Sequence, residues 1–254
     1  MPGLPPALTL PAPHIAELRL RRPDSANRLE PVDLAAIIGH CAAIEANPDV
    51  HVVLVTAEGR SFCAGFDLNA LAAGSGTEPR RTSGERSFEQ AANALASVRP
   101  ITIAVLDGAV IGGGTDIALA CDLRIGTSRA KMQMPAAKIG VPLYPSALQR
   151  YVSRLGLDVA KRLVFLAETI DAAEMQRIGM LAELVADGAA DARARSLAAE
   201  IAALPPKPLA AMKAALNAAS TGGAAHPDMR AKLDAAYDPE EIARRVAALR
   251  AKRG

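Results

Sequence analysis

Ile101 to Ile125 reads ITIAVLDGAVIGGGTDIALACDLRI, and this stretch decides the fold. Ile101–Leu106 is a short apolar run rich in β-branched residues, the pattern of a buried strand. Asp107 and Gly108 are turn residues. Gly112, Gly113 and Gly114 follow, where no side chain obstructs the backbone. Thr115–Cys121 has almost no polar face and predicts a buried helix. Glycines at the mouth of such a helix leave N–H groups exposed at its positive end, where they can face a substrate. The plain structural alternative is a tight turn between closely packed elements. No Lys-Ser or Lys-Thr follows at phosphate-loop spacing, and the G-x-G-x-x-G pattern of dinucleotide binders is absent.

Working outward, Ala16, Leu18 and Leu20 alternate with Glu17 and Arg19, as in a half-buried strand. Residues 21–27, RRPDSAN, read as a turn. Pro31–Ala46 predicts a helix, with Leu34, Ile37, Ile38, Cys41 and Ile44 on one face and Asn47-Pro48 as its stop. His51–Thr56 (HVVLVT) is a buried strand. Strand, helix, strand implies a right-handed crossover and parallel pairing. Glu58–Leu68, EGRSFCAGFDL, is a second glycine-bearing turn after a strand. Residues 72–87 are polar and rich in Gly, Ser and Arg; they read as a mobile, functional loop. Phe88–Val98 is helical, and the proline-rich residues 1–13 read as a loose leader.

Toward the C-terminus, Leu157–Glu168 is helical, Asp171 is the N-cap of the next helix, and Leu181–Val185 is a short strand. Residues 191–204, 209–220, 227–237 and 239–250 read as Ala-rich helices between Pro or Gly stops. The expected organisation is a core over residues 1–190 and a helical region over residues 191–254.

Composition narrows the function. The 254 residues carry a net charge of +2 with dispersed Arg and Lys, which gives no reason to expect nucleic acid. Cys41, Cys63 and Cys121 are far apart and show no zinc spacing, so no metal is expected and a reduced compartment is. The start lacks the charged region of a signal peptide, and no apolar run is long enough to span a bilayer. The sequence therefore predicts a cytoplasmic protein with no membrane partner. With no Trp and four Phe, the core must be Ala, Leu, Ile and Val.

The pair SFCAGFDL and GAVIGGGTDIALACDLRI resembles the crotonase superfamily, the enoyl-CoA hydratase/isomerase family. RPDSAN, MPAAKIGVP and LVFLAETIDAAEMQRIGMLAELV are similar to further elements of that family, and the likeness covers roughly residues 15–250. The resemblance implies an α/β spiral of ββα units and a C-terminal helical region that builds trimers, often paired into hexamers. It implies acyl-CoA as substrate, with coenzyme A as part of that substrate and no prosthetic group. It also implies an oxyanion hole formed by the backbone N–H groups at Phe66 and Gly113. Coenzyme A would be held by main chain around Phe62 and Ala64 and by basic residues, Arg60 first and Arg28, Lys252 and Arg253 less strongly.

The family pattern also breaks. Its hydratases place two glutamates around a water; the matching positions here are Asp116 and Ala136. Asp116 keeps a carboxylate on a shorter arm, as a general acid or base or simply as an acidic residue at a helix N-terminus. Ala136 can do no acid–base work. Tyr144 lies one place later than a tyrosine of certain decarboxylating members; it is a candidate proton donor or a packing residue at a loop–helix junction. Glu85 and Glu89 are reserve carboxylates. Tyr151, Asp122, Cys63 and the histidines read as structural. The expectation is isomerase- or hydratase-type chemistry on a thioester enolate. Decarboxylation, thioester hydrolysis and a non-catalytic acyl-CoA-binding role are the alternatives.

Overall fold

The computed structural model describes residues 3–66, 80–220 and 227–251. The alternating stretch near the N-terminus forms strand β2 (Ile15–Arg21). It pairs in parallel with β3 (Val52–Ala57) across the crossover helix α1 (Pro31–Ala46). The strand opening the glycine stretch is β5 (Ile101–Leu106), parallel to β3 with Val52 opposite Ile101. With β1 (Leu4–Ala12), β7 (Leu123–Thr127) and β10 (Glu183–Val185), these strands form a six-stranded sheet ordered β1-β2-β3-β5-β7-β10.

A second, four-stranded sheet is built from short strands, the first three of which each follow a strand of the first sheet. They are β4 (Ser61–Cys63), β6 (Ala109–Ile111), β8 (Lys131–Gln133) and β9 (Thr169–Asp171), in that order. Helices α2 (Arg80–Ser97) and α3 (Gly113–Ala120) come after β4 and β6. One strand in each sheet and then a helix, repeated along the chain, is the ββα spiral that the family resemblance implies.

The unbroken apolar runs reflect a large sheet covered on both faces. Val53, Val55, Ala104 and Leu106 belong to the main core with α1, α2 and α3. Val52, Leu54, Ile103 and Val105 point the other way, onto Ala190, Ala194 and Ala198. Those alanines lie on a helix, Ala190–Ala202, within the first of two compact units, residues 1–204. The second unit, residues 205–254, contains Pro206–Ala219, Pro227–Ala235 and Pro239–Ala251 as helices. Among the described residues no helix is long and apolar enough to cross a membrane.

Two expectations are corrected. Leu4–Ala12 is a strand antiparallel to β2, not a loose leader. Its prolines are compatible with pairing because it is the sheet's edge strand, where a missing N–H can face outward. Arg21 secures it by donating twice to the Pro5 carbonyl at 2.8 and 2.9 Å. The helix before β5 begins at Arg80, inside the stretch expected to be loop; its polar first turns offered no apolar period to read. Residues 72–79, the Glu85 side chain, His226, Lys252 and Arg253 lie outside the described residues. The expected cap at Asp171 is present, its carboxylate accepting from the Glu174 N–H at 2.9 Å.

One polar node interrupts the apolar face beneath Ala190–Ala202. Glu17 is 3% exposed and accepts from Thr56 at 2.7 Å, from Arg19 at 2.6 and 2.9 Å and from Arg195 at 3.1 Å. Burial raises the proton affinity of this carboxyl, but the three donors outweigh it and hold its pKa below the ordinary value. The stabilisation is therefore complete above the ordinary carboxylate range and is lost as pH falls through the folded-state value. Glu17→Gln should lower stability at neutral pH by about 1–2 kcal/mol in urea unfolding. The gap to the parent should close on acidification; a gap independent of pH would disprove the linkage.

Candidate active site

Two backbone turns meet at the end of the four-stranded sheet. The first follows β4. Gly65 adopts a φ of +84°, and a Cβ there would lie 2.7 Å from the Gly113 nitrogen. Only glycine accommodates both the dihedral and this approach. The second turn enters α3 through Gly112, with a φ of +55°. A Cβ on Gly113 would overlap the Phe88 ring. The sequence thus places glycine where two main chains and an aromatic ring converge. The Gly113 N–H, at the first position of α3, has no acceptor within its own helix. Phe66 follows Gly65 directly, and its ring meets Phe88 edge to face at 6.4 Å between centroids.

These turns open on a cavity of about 170 Å³. Its walls are mostly apolar: Ala64, Phe66, Phe88, Ile111, Met134, Ala136, Ile139, Val141 and Leu143 contribute. Asp116 and Tyr144 bring ionisable groups to it. A larger cavity of about 460 Å³ lies within the second unit, among Pro205, Met212, Tyr237 and Ile242, but it contains neither glycine turn.

Asp116 lies in the first turn of α3 and is 1% exposed. Its carboxylate does not cap the helix. It faces helix α4 (Pro145–Leu155), where Arg150 grips it in a fork. Arg150 Nε donates to Oδ1 at 2.6 Å and Nη2 donates to Oδ2 at 2.7 Å. The Tyr144 hydroxyl also donates to Oδ2. On the far side of the guanidinium, Nη1 donates to the Asn93 amide oxygen on α2 at 2.7 Å. A lone carboxylate this deep would be costly; a bidentate guanidinium supplies the compensating charge and fixes the plane of the carboxylate. Burial lowers the Arg150 pKa, but the Asp116 carboxylate outweighs this and holds it above the usual value. Burial, and then the negative charge of Asp116, push the Tyr144 phenol well above the ordinary tyrosine range.

The structure brings Phe66, Gly113, Asp116, Tyr144 and Ala64 to one cavity. It does not bring the other expected coenzyme A contacts there. Phe62 is a core residue, 1% exposed, beside a polar cleft with Arg19 and Asp107. Arg60 is exposed, and Arg28 lies 3.3 Å from Glu30. Glu89 accepts from Ser146 at 2.7 Å. Tyr151 is fully buried and shares a hydrogen bond with Thr115, which in turn donates to the Gly112 carbonyl at 2.7 Å. The phenol of Tyr151 thereby braces the entry of α3. Asp122 accepts from the Thr102 N–H and hydroxyl at 2.8 and 2.9 Å. Burial pushes the Cys63 thiol up to about 12, which leaves it unreactive. Sequence reasoning missed Arg150 and Asn93. Arg150 immediately precedes the buried Tyr151, and Asn93 is a polar residue in an Ala-rich helix; these signals are local and weak.

A spiral of ββα units with two converging backbone turns and a buried carboxylate over an apolar pocket defines an enzyme of the crotonase fold. The family profile described as enoyl-CoA hydratase/isomerase matches residues 12–244, and the chain belongs to that family. It is 32% identical to (E)-benzylidenesuccinyl-CoA hydratase of Thauera aromatica over 203 residues, 80% of this chain and 78% of that one. It is 34% identical to the mouse mitochondrial enoyl-CoA hydratase domain-containing protein 2 over 213 residues, 80% and 69% of the two chains. Among solved structures, DspI of Pseudomonas aeruginosa superposes with a TM-score of 0.86 at 29% identity, covering 97% of this chain and 94% of that one.

The phenols of Tyr144 and Tyr151 give a direct measurement. A phenol whose folded-state pKa is raised stabilises the fold fully below the unfolded-state pKa, and that stability is lost as pH rises. Tyr144 and Tyr151, both shifted upward, should ionise together with unfolding in an alkaline titration followed by tyrosinate absorbance. Tyr144→Phe should reduce the amplitude of this late step. Ionisation of Tyr144 in the intact fold would contradict the assigned hydrogen bond.

Proposed function

We propose that this protein is an acyl-CoA enzyme that stabilises a thioester enolate and moves a proton at the carbon beside the thioester carbonyl, an isomerase-type reaction on an enoyl-CoA. One observation carries the proposal: the two glycine turns and a single pocket-lining carboxylate, among the described residues, share one apolar cavity. The thioester oxygen accepts from the Phe66 and Gly113 N–H groups. Fixed backbone donors at a helix N-terminus need no reorganisation as charge develops, and each is worth about 3–4 kcal/mol of barrier. Asp116 accepts the proton and returns it, with the Tyr144 hydroxyl as the adjoining donor.

Hydration by two carboxylates around a water fits less well. Ala136 presents a methyl group to the pocket, and the described lining residues supply no second carboxylate. The family resemblance assigns coenzyme A to the main chain at Phe62 and Ala64, with Arg60 or Arg28 meeting a phosphate; Ala64 lines the acyl cavity and the other three lie outside it. The chain assembles as a homotrimer or a pair of trimers. The exposed Met212, Leu216 and Tyr237 of the second unit support that assembly.

The test is incubation with crotonyl-CoA, a 3-enoyl-CoA and methylmalonyl-CoA in deuterated water, read by mass spectrometry and NMR. The expected result is deuterium at the α- or γ-carbon with a shifted double bond. Asp116→Asn should slow exchange by about 10²–10⁴-fold without loss of acyl-CoA binding. Addition of one water would establish hydration instead. Loss of CO2 would establish decarboxylation, and release of free coenzyme A hydrolysis. Binding without turnover of any substrate would mark a non-catalytic acyl-CoA-binding protein.

A further inference from the structure

The guanidinium behind the pocket has a role that the family likeness does not supply. Arg150 is 9% exposed, and three of its N–H groups are committed: two to the Asp116 carboxylate and one to the Asn93 amide oxygen. Asp116 sits on α3, Arg150 on α4 and Asn93 on α2, so three helices are tied at one point. The carboxylate arm is one methylene shorter than a glutamate, and its reach is set by what grips it from behind. The two Arg150 bonds use one lone pair of each oxygen. They leave the opposite edge for Tyr144 and for the pocket.

We propose that Arg150, held by Asn93, is a positioning residue that keeps the buried Asp116 ionised and aimed at the acyl group. Two independent features carry this. The surroundings of Asp116 are apolar apart from this cluster: Phe88, Ala147 and Gly113 share its cavity, and a carboxylate buried there without a cation would be costly. The fork geometry fixes both oxygens, which a single point charge cannot do. The titratable groups near Asp116 from the packed elements are few among the described residues. Tyr144 and Tyr151 are held neutral, Cys63 on β4 is a buried thiol, and Glu89 on α2 is turned to Ser146. Arg150 is the cation that contacts Asp116 within this set.

The role rests on the proposed proton-transfer function, and its test separates charge from aim. Arg150→Met removes both, Arg150→Lys keeps the charge without the fork, and Asn93→Ala frees the guanidinium while leaving the charge in place. The measurements are the pH profile of α-proton exchange, kcat and KM on each variant, and the 13C signal of the Asp116 carboxyl. Arg150→Met should lower kcat about 100-fold with KM little changed and move the acid limb of the profile to higher pH. Its carboxyl signal should be that of a neutral acid at neutral pH. Arg150→Lys should restore the acid limb but only part of the rate. Asn93→Ala should lose rate several-fold with the limb unmoved.

An Arg150→Met enzyme with an unshifted limb and an anionic Asp116 signal overturns the proposal. If Arg150→Met fails to fold by circular dichroism, full rates in both Arg150→Lys and Asn93→Ala overturn it as well. Should the parent protein exchange no α-proton, the proton-transfer function fails. The carboxyl signal still decides whether Arg150 holds Asp116 as an anion.

Discussion

The site depends on one close approach, that of the Gly65 backbone to the Gly113 nitrogen. A methyl group at residue 65 would lie 2.7 Å from that nitrogen, so the two turns can meet only if neither strand-to-helix connection carries a side chain there. The spiral enforces the meeting. Parallel pairing of β4 with β6, Ser61 opposite Ala109, brings the ends of two successive short strands side by side. Each strand end releases its chain into a turn, and both turns face the same cavity. The positive end of α3 then points at whatever occupies it. Nothing in this arrangement requires a reactive side chain, which is why the same backbone frame can serve different chemistries.

The proposed chemistry enters through one carboxylate and its restraints. Asp116 occupies the first turn of a helix that is otherwise buried and apolar, where an unpaired charge would be expelled or neutralised. Arg150, itself held by Asn93, and Tyr144 fix that carboxylate in place at the pocket wall. Ala136, at the position to which the family resemblance would assign a second glutamate, contributes only a methyl group. The pocket is therefore asymmetric, with the two glycine turns at one end, Asp116 and Tyr144 beside them and apolar walls elsewhere. That asymmetry is the basis of the proposed proton transfer.

Legibility in the sequence followed locality. The strands at Ile15–Arg21, Val52–Ala57 and Ile101–Leu106 and the helix at Pro31–Ala46 were readable because each carries a complete hydrophobic period. The edge strand Leu4–Ala12 was not, because its prolines argue against a strand in any context except the edge of a sheet, and edge position is a tertiary fact. The first turns of α2 were hidden for a related reason: their polar residues carry no apolar face. Phe66, Gly113 and Asp116 were legible through motif likeness. Arg150 and Asn93, 57 residues apart, were not, since neither has a local signature and their partnership is with a third helix.

The sequence by itself determined the family, the alternation that builds the large sheet, the two glycine turns and an alanine at residue 136. Those are statements about residue type and short-range pattern, and local sterics suffice to read them. The tertiary structure alone decided that Asp116 is gripped by a guanidinium rather than capping its own helix, that Tyr144 lies against it, and that Phe62, Arg60 and Arg28 lie outside the cavity that holds it. The reason is physical. The state of a buried charge is set by the groups that the fold brings to within about 4–6 Å of it, and chain order carries no record of that distance.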